Sequence, residues 1–235
     1  MLIGPQNLAV HVNHVRSRIL KAARDAGRDP KSVNLIGVSK GQDAESCRAV
    51  AMAGVTDFGE NYLQEAEDKI TALADLGLNW HFIGKLQSNK TRSVAQHFSW
   101  VHTVDRLALA RRLAEQRPFH APTLNLCIQV MLVPEATKGG LEPEAVADLA
   151  TGIAELPRVR LRGLMCLPPL APDTRTQRAV FCRLRRLLEN LNTRGFNLDT
   201  LSMGMSHDFE AAIAEGATHI RLGTALFGAR HKGNT

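Results

Sequence analysis

The sequence predicts an α/β protein formed by one domain over residues 1–235: a single (β/α)8 TIM barrel with an extra N-terminal helix and no C-terminal β-domain. Short apolar segments alternate with segments of helical periodicity, which is typical of a parallel sheet. The length of 235 residues is close to the usual size of such a barrel, about 250 residues. No GxGxxG follows a predicted strand, which counts against the alternative, an open doubly wound sheet.

The elements follow from the spacing of apolar residues and from their stop signals. Strand segments are short, apolar and rich in β-branched residues, whereas helical segments repeat apolar residues at three- and four-residue intervals and stop at Gly or Pro. The predicted strands are 33–40, 55–61, 78–85, 98–105, 123–132, 159–169, 200–205 and one within 219–228. The predicted helices are 7–26, 43–54, 62–76, 89–97, 105–117, 143–156, 176–194 and 206–215. Asp43, Asp105 and Ser206 are predicted helix caps, and Glu65 and Lys69 are expected largely on the solvent side of their helix.

Composition limits the classes of partner. Hydrophobic residues make up 44% and charged residues 22%, no apolar run approaches the roughly 20 residues of a membrane span, and the N-terminus resembles no secretory signal. We therefore expect a cytoplasmic protein with no membrane partner. The four cysteines are scattered singly, which favours free thiols over a metal site or disulfides. The net charge of +6 suits nucleic acid or a small anion, but with 5% aromatic residues and no nucleic-acid motif we expect the anion.

Lys40 stands at the end of the first predicted strand, VNLIGVSK. An ammonium group at the end of a buried strand is costly to desolvate without a partner. One interpretation is a lysine whose long stem carries its charge out to solvent. The other is an amine with a lowered pKa that forms a Schiff base with an aldehyde.

Two groups at the last two strand ends predict an anion site. Barrels often bind phosphate between the loops after strands seven and eight. Gly204 allows close backbone approach and Ser206 could cap the next helix, while Gly223 and Thr224 offer a second edge rich in N–H groups. A capping serine with turn glycines explains either group alone, but the pair at neighbouring strand ends favours phosphate.

Arg221 lies two residues before Gly223, so both point to the same face of the strand. A buried guanidinium needs a partner, which could be a barrel carboxylate or the ring nitrogen of a ligand. An aldehyde captured by Lys40, a phosphate site and a cation facing a pyridine nitrogen together describe pyridoxal 5′-phosphate (PLP).

Five segments carry a resemblance to a known family: GVSK, FGENYLQE, WHFIGKLQSNK, LRGLM and LSMGMSHDFEAAIAEGATHIRLGTALFGAR. They resemble the pyridoxal phosphate homeostasis proteins, which are related to the barrel domain of alanine racemase. The resemblance implies vitamin B6 homeostasis, with PLP held as a Schiff base on Lys40. Implied cofactor-binding residues are Lys40, Asn61, Ser202, Met203, Gly204, Ser206, Arg221, Gly223 and Thr224, with phosphate on Ser206, Gly223 and Thr224 and Arg221 opposite the ring nitrogen. Lys85, His207, Cys166 and Leu167 depart from the family pattern near the expected mouth of the barrel.

The residues favour a carrier over an enzyme. A cation opposite the ring nitrogen disfavours its protonation and so weakens PLP as an electron sink. Tyr62 is the single tyrosine, and a second acid–base group of the kind racemisation needs is not evident. We expect a non-catalytic monomer that buffers PLP or delivers it transiently to apo-enzymes; the alternative is an amino-acid racemase of the alanine racemase type. Lys138 is expected to be either a solvated loop lysine or a secondary contact for exchanging PLP.

Overall fold

Eight parallel strands close into a barrel in the computed structural model, which describes residues 5–133 and 139–228. Each strand pairs with the next along the chain, and β8 pairs with β1, so the predicted barrel is confirmed. The strands are β1 Asn34–Val38, β2 Asp57–Glu60, β3 Asn79–Phe82, β4 Trp100–Val104, β5 Leu124–Gln129, β6 Val159–Met165, β7 Thr200–Ser202 and β8 His219–Leu222.

Helices follow the strands and cover the outside of the barrel. They are α1 Pro5–Asp25, α2 Ala44–Met52, α3 Leu63–Ala72, α4 Thr91–His97, α5 Leu107–Gln116, α6 Val146–Ala154, α7 Thr174–Thr193, α8 Phe209–Ala214 and α9 Thr224–Phe227. Four 3₁₀ turns are also present, at Pro30–Ser32, Ala74–Leu76, Ser88–Lys90 and Pro143–Ala145; the first precedes β1 and the others adjoin α3, α4 and α6. Within the described ranges, no helix combines the length and the apolar character needed to cross a bilayer.

The predicted strands are longer than the observed ones. β1 ends at Val38, so Lys40 lies two residues beyond it in a turn. Of the predicted caps, Asp43 is confirmed, since its carboxylate accepts from the Ser46 N–H at 2.7 Å. Asp105 is not a cap: α5 begins after Arg106, and the carboxylate of Asp105 pairs with that arginine instead.

The N-terminal helix α1 lies against other helices on the outside of the barrel. It packs against α2, α8 and α9 through buried Leu8, Val12 and Val15. The His11 Nδ1–H donates to the Leu226 carbonyl in α9 at 3.1 Å, and the guanidinium of Arg18 lies 4.5 Å from the ring centroid of Phe209. This helix therefore contacts the chain segment that follows β8.

The barrel interior is polar as well as apolar. Apolar side chains fill the layer between strands and helices. Buried polar residues also stand on the strands, among them Asp57, His81, His102, Ser202 and Arg221. All four cysteines are free; Cys47, Cys127 and Cys166 are buried and Cys182 is partly exposed.

Candidate cofactor site at the barrel mouth

A small cavity at the carboxyl ends of β1 and β8 brings together two of the predicted features. Its lining includes Lys40, Gly223 and Thr224, with Val38, Gln42 and Gly228. The backbones approach closely here, since a Cβ on Gly223 would lie 3.4 Å from the Val38 carbonyl oxygen. The amine-bearing residue and the edge predicted to hold an anion therefore share one cavity. A larger groove lies at the other end of the barrel, between α1 and the start of β1, away from all of these residues.

Ser206 joins this edge in a way that differs from its prediction. It does not cap α8, whose N-terminal flanking residue is Asp208. Its hydroxyl oxygen instead accepts a hydrogen bond from the Ala225 N–H at 3.3 Å, at the start of α9. This hydrogen bond joins the loop after β7 to the loop after β8 beside Thr224, where the sequence predicts an anion site.

A buried ammonium group fixes the backbone next to Lys40. The Nζ of Lys69 donates to the Ser39 carbonyl at 2.6 Å, to Glu60 Oε1 at 2.7 Å and to Glu65 Oε1 at 2.6 Å. Burial alone would lower the pKa of Lys69, but the hydrogen bonds to the two carboxylates outweigh it and raise that pKa. Lys69 is therefore a cation that ties the end of β1 to β2 and α3.

The same carboxylates hold the residues on both sides of Lys40. The Ser39 hydroxyl donates to Glu60 Oε1 at 2.6 Å, and the Gly41 N–H donates to Glu65 Oε1 at 2.5 Å. Lys40 also makes an interaction of its own. The backbone that carries this amine is thus anchored immediately before and after it.

Arg221 lies in the barrel interior with its guanidinium held at two points. Nη1 donates to Ser202 Oγ at 2.6 Å and Nη2 to the Cys166 carbonyl at 2.9 Å. Burial lowers the pKa of Arg221. In the described part of the chain Arg221 makes no ion pair within 4 Å, so the first of its two possible partners, a barrel carboxylate in direct contact, is not observed there. These bonds use two of its five N–H donors.

The remaining predicted residues occupy different places at this end. Asn61 lines a neighbouring depression with Tyr62, Lys85 and Lys90, and its buried Oδ1 has no hydrogen-bond partner among the described residues. The side chain of Met203 is fully buried in the hydrophobic core. Gly204 has φ +95°, and a Cβ there would lie 2.7 Å from the Cβ of Ala212, so the backbone packs directly on α8. Lys138 falls outside the described residues.

The sequence pattern alone does not identify the buried side chains that support the site. Lys69 is 4% exposed, so its expected placement on the solvent side of α3 is wrong. Its spacing of four residues from Glu65 is a signal for an ion pair, but not for burial. His81 and His102 are fully buried and do not belong to the predicted site, although each lies in a strand segment where a buried polar residue needs a partner.

Comparisons with known proteins first show which type of barrel this chain forms. Residues 10–231 match the model of the alanine racemase N-terminal domain. The structure also resembles alanine racemase from Corynebacterium glutamicum, with a TM-score of 0.66 at 17% identity, covering 95% of this chain and 63% of that one. At that identity the likeness concerns the fold alone: the chain has the barrel of the alanine racemases.

Closer relatives narrow the class to one family. The pyridoxal phosphate homeostasis protein of Pseudomonas aeruginosa is 56% identical over 226 residues, covering 96% of this chain and 97% of that protein. The pyridoxal phosphate homeostasis protein of Escherichia coli is 47% identical over 227 residues, covering 95% of this chain and 97% of that protein. PipY of Synechococcus elongatus, solved with PLP bound, has 40% identity and a TM-score of 0.84, with 94% and 100% covered. The chain belongs to the family of pyridoxal phosphate homeostasis proteins.

Proposed function

We propose that this protein binds PLP at the mouth of its barrel and buffers or delivers it, with Lys40 holding the cofactor as a Schiff base. The observation that carries the proposal is the cavity lined by Lys40, Gly223 and Thr224. It joins an amine to a glycine-containing backbone edge at the strand ends where barrels bind phosphate. The bound PLP in the related PipY supports the same ligand.

The residues present fit this cofactor chemically. PLP supplies an aldehyde that condenses reversibly with an amine, releasing water. Thr224 and Ser206 offer hydroxyl groups to the phosphate beside the backbone of Gly223. Arg221 retains N–H donors beyond its two observed hydrogen bonds and is assigned to the ring nitrogen. A cation at that nitrogen disfavours its protonation, which limits carbanion chemistry and favours storage over turnover.

Trapping with borohydride tests the covalent attachment. We expect reduction of the protein with bound PLP to label Lys40, as located by peptide mapping, and the Lys40→Arg variant to keep a positive charge but take no label there. Lys85→Ala is the matched control, because Lys85 is an exposed lysine at the same end of the barrel, in the neighbouring depression. Labelling of Lys85 in place of Lys40 would contradict the proposal.

The same trapping experiment addresses Lys138. Label on Lys138 in the Lys40→Ala variant would assign it a role in exchanging PLP, and its absence would leave a solvated loop lysine.

A carrier and an enzyme give different results with amino acids. We propose that the protein is non-catalytic, acts as a monomer in the cytoplasm and transfers PLP transiently to apo-enzymes. Incubation of the loaded protein with a panel of amino acids should give no racemisation or decarboxylation above that of free PLP. Incubation with an apo-enzyme should restore that enzyme's activity. Turnover well above the free cofactor would instead support the racemase alternative.

A further inference from the structure

A chain of four hydrogen bonds crosses the barrel interior and ends at Arg221. Arg221 Nη1 lies 2.6 Å from Ser202 Oγ, and Ser202 Oγ lies 2.8 Å from His102 Nδ1. His102 Nε2 lies 2.9 Å from His81 Nδ1, and His81 Nε2 lies 2.9 Å from Asp57 Oδ1. All five side chains are at most a tenth exposed. The cation and the carboxylate are thus joined through three intervening side chains.

The carboxylate end determines where every proton in this chain lies. Burial alone would raise the pKa of Asp57, but the hydrogen bonds from His81 and Thr56 outweigh it and lower that pKa to about 2. An ionised carboxylate only accepts hydrogen bonds, so His81 carries its proton on Nε2. Burial lowers the pKa of both His81 and His102, so each ring is neutral and has one N–H.

The remaining assignments follow in sequence toward the arginine. The Nδ1 of neutral His81 is an acceptor, so His102 donates to it from Nε2–H. The Nδ1 of His102 is then also an acceptor, and it receives the hydroxyl proton of Ser202. The oxygen of Ser202 is left with its lone pairs for Arg221, which has only donors. Arg221 can only donate and ionised Asp57 can only accept, so every hydrogen bond is donated in the same direction, from the guanidinium toward the carboxylate.

We propose that Asp57, through His81 and His102, is a positioning residue for Arg221. The carboxylate fixes both imidazole tautomers, and these turn the Ser202 oxygen toward the guanidinium. The Cys166 carbonyl provides the second fixed point. The chain does not transfer protons, because the arginine stays protonated and Ser202 would have to become an alkoxide. The part of this inference that concerns the ligand rests on the proposed function, since Arg221 is assigned there to the ring nitrogen of PLP.

Nitrogen NMR of the ligand-free protein tests the chain without any cofactor. With ¹⁵N-labelled histidine, we expect His81 and His102 each to show Nε2–H and a bare Nδ1, and neither ring to gain a second proton between about pH 6 and pH 8. A proton on Nδ1 of either buried ring, or a doubly protonated ring at neutral pH, would overturn the proposal.

A variant of Asp57 separates positioning from a merely structural role. Asp57→Asn keeps the shape but offers an N–H₂ group as well as an oxygen, so His81 is no longer forced to donate. We expect the variant to show a new Nδ1–H population on His102, to shift the absorbance band of bound PLP and to bind PLP about tenfold more weakly. Borohydride should still label Lys40. Asp75→Asn, at an exposed pair with Arg48, is the matched control and should behave as the parent protein.

The outcomes separate the two hypotheses. If the parent protein binds no PLP, the proposed function fails. The histidine tautomers then still test whether the hydrogen bonds run from Arg221 to Asp57 as proposed. If Asp57→Asn leaves both the His102 tautomer and the PLP spectrum unchanged, the positioning role of Asp57 is wrong although PLP binding stands. Should Asp57→Asn fail to fold, the tautomers of the parent protein decide alone.

Discussion

At the scale of single residues, a glycine is needed where a loop at the barrel mouth packs directly against the backbone of another segment. A Cβ on Gly84, just after β3, would lie 2.1 Å from the carbonyl oxygen of Asn61. No rotamer change relieves such a contact, because the obstructing atom belongs to the main chain. The absence of a side chain at Gly84 therefore lets the loop after β2 rest against the end of β3.

We expect Gly84→Ala to destabilise the protein by about 1–3 kcal/mol, the usual cost of overpacking, and to weaken PLP binding through the displaced Asn61 segment. Urea unfolding and PLP titration measure the two effects. Gly37→Ala is the control, since a Cβ at that buried strand position would meet only side-chain atoms at 3.5 Å or more. Equal stability of the two variants would contradict the steric argument.

At the scale of elements, the link between β1, β2 and α3 is ionic. Lys69 on α3 reaches Glu60 at the end of β2, with side chains 5% and 0% exposed. A buried pair of this kind gives little net stability over an apolar pair, but loss of one partner leaves an uncompensated charge. The link therefore matters more for holding the segment around Lys40 than for the stability of the barrel.

Lys69→Met removes the cation and leaves Glu60 buried without it. We expect a loss of about 3–5 kcal/mol in the free energy of unfolding and a reduced yield of borohydride label on Lys40. The double variant Lys69→Met/Glu60→Gln should recover part of the stability, because the buried charge is gone. A single variant as stable as the parent protein would show that the pair is not buried as described.

How far the sequence predicts the molecule depends on the range of the interaction involved. The order of strands and helices follows from local periodicity, and the cap at Asp43 from local chemistry. Local sequence predicts that Ser206 caps α8, the next helix along the chain, yet its partner Ala225 lies beyond β8. The burial of Lys69 and the chain from Asp57 to Arg221 likewise depend on which strands become neighbours, and no local pattern contains that information.

At the scale of the whole molecule, the buried imidazoles make stability depend on pH. Burial lowers the pKa of His81, His102 and the neighbouring His219 in the folded state, so below about pH 6.5 the unfolded chain binds more protons. Their contribution to stability is complete above that pH and decreases as the pH falls. The carboxylate of Asp57, with a pKa of about 2, contributes in the same direction only below the range of the histidines.

We expect the free energy of unfolding to fall between about pH 6.5 and pH 5, by up to about 1.4 kcal/mol per pH unit for each buried ring. Urea unfolding at several pH values measures this slope. His102→Gln should reduce the slope. An equal slope in the variant and in the parent protein would assign the pH dependence to other groups.

Helix α1 also supports this site, although none of its described side chains lines the cavity around Lys40 and Gly223. Through the bond from His11 to Leu226, α1 supports α9 from outside, and α9 begins at the residues proposed to receive the phosphate. A fragment that began at β1 would keep every residue assigned to PLP yet lose the support beneath one wall of the cavity. Removal of α1 should therefore weaken the binding of PLP more than it impairs the formation of the barrel.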